Sequence, residues 1–213
     1  MVPPLSSRQE HWDAVYRGRV PELVTWHQAH PELSLSFIAA AGLGSDAAIV
    51  DVGGGSSELV DHLLGQGYTN LTVLDLSSLA TGYARRRLGD RAEGVTWLEE
   101  DVLEYRFDST FALWHDRAVF HFLTDPADQQ QYVARLTDAV AIGGHVVIAT
   151  FGLDGPETCS GLPVQRYGRE ALSEALGGAF GPVDFQNETH VTPTGATQEF
   201  SYGHFQRLSH NAD

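Results

Sequence analysis

The sequence predicts an α/β protein with a doubly wound sheet of about seven mostly parallel strands, a terminal antiparallel hairpin and an N-terminal helical cap. Short apolar runs alternate with helical patterns from residue 47 to residue 180. Such alternation is typical of parallel strands joined by right-handed crossovers. The last two runs, 181–192 and 197–208, are joined by a Pro- and Gly-containing turn instead of a helix, which indicates a hairpin.

Each element follows from its own local pattern. A run of Leu59, Leu63 and Leu64 has helical spacing, and the Asp125-Pro126 step is typical of a helix start. Short, continuously apolar runs indicate strands that are buried on both faces. The predicted strands before the hairpin are 47–53, 70–76, 95–101, 110–116 and 145–151, and the predicted helices are 56–67, 78–89, 125–144 and 168–180.

A length of 213 residues fits one domain. We predict a single domain over residues 1–213, divided into a helical cap (1–45) and a core (46–208). The cap segment carries the aromatic residues Trp12, Tyr16 and Trp26, and we expect it to cover the edge of the sheet.

Charge and cysteine content restrict the partners and the compartment. The formal charge of −15 and the pI of about 4.9 argue against nucleic acid and against an anionic membrane face, both of which would repel this chain. The single cysteine, Cys159, excludes an intramolecular disulfide and suits a reducing compartment. No run approaches the ~20 apolar residues of a membrane span, and no N-terminal signal is apparent. We therefore expect a cytoplasmic protein with no nucleic-acid or membrane partner, whose oligomeric state is left open.

A glycine-rich turn follows the first strand. The stretch IVDVGGGSSEL (49–59) combines a strand, the acid Asp51, Gly53 and Gly55, and a helix start. Glu58 stands where a dinucleotide-binding fingerprint has its third glycine, and a carboxylate there would repel a pyrophosphate. No Gly-Lys-Ser/Thr follows, which excludes a phosphate-binding P-loop. The turn therefore predicts a ligand that lacks a polyphosphate and carries positive charge.

Two further acids stand at strand ends. Asp75 ends the second strand, where a carboxylate can accept hydrogen bonds from ribose hydroxyls. Asp101 ends the third strand, where it could accept a hydrogen bond from an adenine amino group. Together with the glycine turn, these acids predict an adenosine ligand with a cationic tail.

With these motifs, residues 45–205 resemble class I S-adenosylmethionine-dependent methyltransferases, which have a Rossmann-like fold. The resemblance implies S-adenosylmethionine as cofactor, with its amino-acid part at the turn VDVGGGS. Ser57 replaces a third glycine found in many members. The cofactor contacts that the resemblance implies are Asp51, Gly53 and Gly55 for the amino-acid part, Asp75 and Leu76 for the ribose, and Asp101 and Val102 for the adenine.

The stretch FALWHDRAVFHFL (111–123) falls at the end of the fourth strand, where this fold brings the methyl group to its acceptor. We predict four catalytic residues there. His115 or His121 would accept or orient a proton, with His115 also beside the cofactor, and Arg117 would attract an anionic acceptor or brace Asp116. The alternatives are structural: an Asp116–Arg117 pair and a buried core histidine at position 121.

A second, looser resemblance concerns the acceptor. The HDRAVF sequence lacks the Asn/Asp-Pro-Pro-Tyr/Phe motif of enzymes that methylate base or amide nitrogens, and it resembles the thiopurine, thiol and halide S-methyltransferase branch. That branch implies that Trp12, Tyr16 and Trp26 close over the cofactor, with aromatic faces available to its sulfonium. It also implies an acceptor loop after the fifth strand. We therefore predict methylation of a small soft nucleophile (a thiol, sulfide or related chalcogen compound), bound by Arg117, His121 and Cys159.

Three other interpretations stay open. A protein-lysine methyltransferase shares the Trp-Asp-x-x-Tyr opening, and a non-catalytic adenosine-binding module would share the fold. A soft metal site formed by Cys159, His115, His121, His190 and His204 is a third possibility. No close ligand spacing such as CxxC or HExxH supports that site, so no metal is predicted.

Overall fold

A computed structural model describes residues 5–209 of the chain. The helices are α1 (Leu5–Tyr16), α2 (Glu32–Ala40), α3 (Leu59–Gly65), α4 (Ser78–Leu88), α5 (Pro126–Ala139) and α6 (Arg169–Leu176). The strands are β1 (Ile49–Val52), β2 (Leu71–Leu74), β3 (Val95–Leu98), β4 (Phe111–Arg117), β5 (Val140–Phe151), β6 (Thr158–Cys159), β7 (Leu162–Pro163), β8 (Phe180–Val191) and β9 (Thr197–Arg207). Short 3₁₀ turns lie at Pro21–Leu23, Gly89–Gly94 and Phe120–Phe122.

Seven of these strands form one sheet in the order β3-β2-β1-β4-β5-β9-β8. Strands β1 to β5 pair in parallel, and β9 pairs antiparallel with both β5 and β8. The predicted fold class is therefore confirmed. The strand order reverses between β1 and β4, and in such sheets ligands bind at the carboxyl ends of the strands near that reversal.

Element boundaries depart from the prediction in three places. The helix predicted over 125–144 ends at Ala139, because Val140 is already extended and pairs with Phe111 of β4. The helix predicted over 168–180 ends at Leu176, where Gly177 adopts a φ of 71° that reverses the chain. The small hairpin of β6 and β7, within the loop after β5, was not predicted.

Alternation along β4 separates its polar residues between the two faces of the sheet. Leu113 belongs to the core cluster that contains α2 and α3, whereas Trp114 belongs to the cluster that contains α5. Successive side chains of a strand point to opposite faces. His115 and Arg117 consequently lie on the side of Leu113, and Asp116 lies on the side of Trp114.

The N-terminal segment lies across the carboxyl ends of the strands. Helix α1 contacts α4, where Ser77 Oγ donates to Asp13 Oδ1 at 2.7 Å. Residues 24–28 contact the terminal hairpin, because His190 Nε2 lies 2.8 Å from the carbonyl oxygen of Thr25. The segment thus covers the strand ends as well as the outer hairpin. Within residues 5–209, no helix has the length and apolar character that crossing a membrane requires.

Candidate functional site

A cleft opens at the carboxyl ends of β1 to β4, beneath the N-terminal segment. It encloses about 920 Å³ of empty space, counting its open mouth. Ten of the fifteen residues predicted for the site line it, namely Trp12, Tyr16, Trp26, Gly53, Asp75, Leu76, Asp101, Val102, Arg117 and Cys159. The other five, Asp51, Gly55, His115, Asp116 and His121, lie behind its walls or beside it.

The glycine turn forms one wall of the cleft. Gly53 and Gly55 have φ values of 69° and 43°, a region that residues with a side chain rarely adopt. A Cβ atom on Gly55 would lie 2.8 Å from Asp75 Oδ2, and one on Gly53 would clash with Val119. The turn therefore brings bare backbone against the carboxylate at the end of β2.

Asp75 is half-buried at the end of β2, and its Oδ1 accepts a hydrogen bond from the backbone N–H of Ser77 at 2.7 Å. Burial raises the pKa of Asp75 to about 7. The nearby carboxylates of Asp51 and Asp13 also raise it, while the Ser77 N–H acts in the opposite direction. This carboxyl therefore changes charge near neutral pH.

Asp101 is buried, and its two oxygens have different partners. Oδ1 accepts from the backbone N–H of Leu103 at 2.9 Å, and Oδ2 lies 3.1 Å from Arg8 Nη2. Arg8 itself lines the cleft. Sequence reasoning missed it, because a single arginine in a polar helix carries no local sign of which strand end it will meet.

Aromatic side chains enclose the far end of the cleft. Trp12 packs edge-on against Phe122 with ring centroids 5.0 Å apart, and against Trp26 at 6.2 Å. Phe151 and Phe200 complete this wall. Burial raises the pKa of the Tyr16 hydroxyl, which lies near the glycine turn, so that it stays protonated.

Arg117 supplies a fixed cation at this aromatic end. Its guanidinium carbon lies 4.2 Å from the ring centroid of Phe200, Nε donates to Tyr202 Oη at 2.8 Å, and Nη1 donates to the carbonyl oxygen of Trp26 at 3.1 Å. Cys159 also lines this end, and burial raises the pKa of its thiol. The arrangement places a guanidinium, whose Nη2 is also paired with Glu188 Oε2 at 3.4 Å, at the largely apolar end of the cleft.

His115, Asp116 and His121 lie elsewhere than predicted, and none lines the cleft. His115 is enclosed between Asp51 and Ser34, on the inner side of the glycine turn. Asp116 points to the opposite face of the sheet, as strand alternation requires. Its carboxylate accepts hydrogen bonds from the Tyr132 hydroxyl and from the N–H groups of Val119 and Phe120.

His121 is fully buried. Its Nδ1 accepts from the N–H of Phe151 at 3.3 Å, and burial, aided by the Arg117 charge, lowers the pKa of the ring to about 3. The catalytic roles predicted for His115, Asp116 and His121, and substrate contact by His121, find no support in these positions.

The histidines weighed as metal ligands do not converge. His190 contacts the backbone of Thr25, while His204 Nε2 lies 2.9 Å from His145 Nδ1. Within the part of the chain that the structure describes, no group of three or more His, Cys, Asp or Glu side chains is arranged to hold a metal ion.

Comparisons with known proteins agree on one type of domain. Residues 49–144 match the family described as "Methyltransferase domain". A tRNA U34 carboxymethyltransferase of Shewanella halifaxensis is 28% identical over 57% of this chain and 36% of its own length. An eEF1A lysine and N-terminal methyltransferase of Danio rerio is 23% identical over 68% of this chain and 21% of its own length. The chain thus spans about a third or less of these curated relatives.

Two solved structures share the fold over nearly the whole chain. One, described for the conversion of a disulfide bond into a thioacetal group during echinomycin biosynthesis, has a TM-score of 0.76 at 21% identity and covers 96% of this chain and 93% of its own. The other, 1,6-didemethyltoxoflavin-N1-methyltransferase of Burkholderia thailandensis, has a TM-score of 0.75 at 22% identity and covers 98% and 92%. At these identities the likeness establishes the fold.

Proposed function

We propose, from the premise that residues 49–144 are a class I S-adenosylmethionine-dependent methyltransferase domain, that this protein methylates a small soft nucleophile such as a thiol, a sulfide or a related chalcogen compound. The observation that carries the proposal is the composition of the cleft. Its carboxylates, Asp75, Glu100 and Asp101, all follow β2 and β3, whereas the aromatic end holds Arg117 and Cys159.

The residues of the cleft fit the cofactor. Asp75 lies ready to accept from a ribose, the buried Asp101 can accept from an adenine amino group, and the backbone of Gly53 lines the cleft beside them. When bound, S-adenosylmethionine supplies an electrophilic methyl group for in-line displacement. The cap aromatics exclude water, and the strand-end acids align the reacting partners, which is the main contribution a protein makes to such a transfer.

The acceptor end offers no general base among the described residues that line it. Arg117 has no basic lone pair, Cys159 has a raised thiol pKa, and the nearby His121 is enclosed with a pKa of about 3. An acceptor that must lose a proton during transfer would need such a base. A thiolate or hydrosulfide reaches the cleft already ionised and is drawn to the guanidinium. The sulfur chemistry described for one fold neighbour supports this assignment.

The test is a turnover screen with methyl-labelled S-adenosylmethionine and wild-type protein. Hydrosulfide, small thiols, amines, heteroaromatic bases and a cell-protein extract would each be offered as acceptor. We expect label in volatile or small-molecule thioethers. Label in a protein band would instead favour the lysine interpretation, which the relative from Danio rerio supports. Cofactor binding without any turnover would favour a binding module.

Arg117→Met should discriminate between acceptors. We expect kcat/KM for an anionic thiolate to fall about tenfold or more, because a charge-assisted contact contributes roughly 1.5–3 kcal/mol. A neutral selenide or thioether acceptor should lose far less, and this acceptor serves as the internal control for damage to the anchoring of Trp26 and Tyr202. Equal losses with both acceptors would contradict the proposed attraction.

Gly55→Ala tests the cofactor end. A side chain at a φ of 43° is strained, and its Cβ would lie 2.8 Å from Asp75 Oδ2 and displace that carboxylate. We expect affinity for S-adenosylhomocysteine, measured by titration calorimetry, to fall about tenfold or more. Gly65→Ala is the matched control, because a Cβ there meets nothing within 4 Å. Unchanged affinity in the Gly55 variant would remove the turn from the cofactor site.

A further inference from the structure

A buried hydrogen-bonded chain lies behind the glycine turn. His115 Nδ1 is 2.7 Å from Asp51 Oδ1, and His115 Nε2 is 2.9 Å from Ser34 Oγ. The exposed fractions of Ser34, His115 and Asp51 are 0%, 3% and 5%. Parallel pairing of β1 with β4 places Asp51 directly opposite His115, and α2 supplies Ser34 from above. Sequence reasoning placed both ends of this pair in the site but did not connect them.

The second oxygen of Asp51, Oδ2, unlike the first, has no hydrogen-bond partner among the residues that the structure describes, and it is buried. A buried carboxylate oxygen without a donor is costly, so its position marks a place for a donor from a ligand. Asp51 lines a second pocket together with Ser34, Gly54 and His115.

This second pocket adjoins the cleft. The two share Tyr16, Trp26, Gly53 and Arg117 as lining residues. A ligand whose nucleoside lies at Asp75 and Asp101 can therefore extend past the glycine turn into the second pocket. The second pocket is smaller than the cleft, with about 520 Å³ of empty space against about 920 Å³, and polar side chains including Asp51 line it. It therefore suits a short charged tail and not a second ring.

We propose that His115 is a positioning residue that determines cofactor specificity. It holds Asp51 by Oδ1, so that Oδ2 stays turned to the ammonium group of the cofactor's amino-acid tail. Since a carboxylate only accepts hydrogen bonds, Nδ1 of His115 is the donor, and the Ser34 hydroxyl fixes the other side of the ring. The inference rests on the proposed function and deepens it, because it gives His115 a role in recognising the tail in place of one at the methyl group.

The test compares two ligands that differ by the tail. S-adenosylhomocysteine carries the amino-acid group, whereas 5′-methylthioadenosine has the same nucleoside and sulfur without it. Calorimetric affinities would be measured for the wild type, His115→Phe and His115→Asn, with thermal unfolding recorded for each. Asn can still donate a hydrogen bond to Asp51, and Phe cannot.

We expect His115→Phe to weaken binding of S-adenosylhomocysteine about tenfold, the effect of losing one charge-assisted hydrogen bond, and to change binding of 5′-methylthioadenosine less than twofold. His115→Asn should recover most of the loss, and Ser34→Ala should fall between. Equal losses for both ligands, or no loss for either, would overturn the proposal. A wild type that binds neither nucleoside would instead overturn the proposed function.

A measurement on the wild type covers the case in which the variants do not fold. The Nδ1 proton of His115 is enclosed against a carboxylate and should give a slowly exchanging, downfield proton resonance. We expect that resonance to move when S-adenosylhomocysteine is added and to stay in place with 5′-methylthioadenosine. Identical responses to the two ligands would overturn the proposal without any substitution.

Discussion

Asp75→Asn is expected to weaken binding of S-adenosylhomocysteine by about 10- to 100-fold at pH 8. The carboxylate has Oδ2 beside Gly55, facing the cleft, and it is the group best placed to accept from ribose hydroxyls. Hydrogen bonds to a charged acceptor contribute roughly 1.5–3 kcal/mol, and each 1.4 kcal/mol is a factor of ten in affinity. Titration calorimetry measures the change directly. Glu93→Gln, which neutralises an exposed carboxylate outside the cleft, is the control.

The affinity for S-adenosylhomocysteine should also depend on pH, because the ligand prefers one ionisation state of Asp75. Burial raises the pKa of Asp75 to about 7, so the carboxyl of the free protein is protonated below pH 7 and ionised above it. The ligand prefers the ionised form, and binding must therefore expel a proton at low pH. We expect affinity to fall as the pH drops from 8 to 6, by up to about tenfold per unit below pH 7. The Asn variant should show little of this slope, and an equal slope in both proteins would exclude Asp75 as its source.

The sheet could be predicted because its pattern is local. Each β-rich run, such as 145–151, ends at a turn or a helix start, and parallel order then follows from alternation alone. Boundaries were less accurate where local patterns compete. Val140 continues the helical spacing of the apolar residues of α5, yet it pairs with Phe111 of β4 and so belongs to β5. The helical spacing of apolar residues contains no information on whether a segment will pair with a distant strand.

The site residues likewise could be predicted where the pattern is local and could not where tertiary packing decides. Asp75 and Asp101 line the cleft because they lie in the loops that follow β2 and β3, and such loops in a parallel sheet border the ligand edge. The polar residues of β4 required more information. Which of His115, Asp116 and Arg117 meets the cleft depends on what covers each face of the sheet, and α2 and α5 decide this through tertiary packing. Only Arg117 of the three lines the cleft.

Among the substitutions considered, Asp116→Ala is expected to lower the free energy of unfolding most. The Asp116 carboxylate, completely buried, accepts from the Tyr132 hydroxyl at 2.5 Å, from the N–H of Val119 at 2.8 Å and from the N–H of Phe120 at 3.1 Å. These bonds join the end of β4 to the following turn and to α5. Asp116→Ala leaves all three donors without an acceptor, at about 1–3 kcal/mol for each buried group. We expect the free energy of unfolding, from urea titration at pH 7, to fall by roughly 3 kcal/mol or more.

Two comparisons separate this structural role from a catalytic one. Tyr132→Phe keeps the Asp116 carboxylate but removes its hydroxyl donor and the acceptor of the Trp114 Nε1–H. It leaves one buried donor unpaired where Asp116→Ala leaves three, so it should cost about 1–3 kcal/mol and serves as the matched variant. Burial raises the pKa of Asp116 to about 6, which means that the folded protein holds this proton more firmly than the unfolded chain. The part of the stability that depends on binding this proton is therefore complete below pH 4 and is lost as the pH rises through 6, whereas the hydrogen bonds to the ionised carboxylate remain at pH 7. The destabilisation by Asp116→Ala should accordingly be greater at pH 4 than at pH 7. An Asp116→Ala variant that is as stable as the wild type but has lost turnover would support a catalytic role for Asp116. Removing a carboxylate that serves only folding must instead lower the stability.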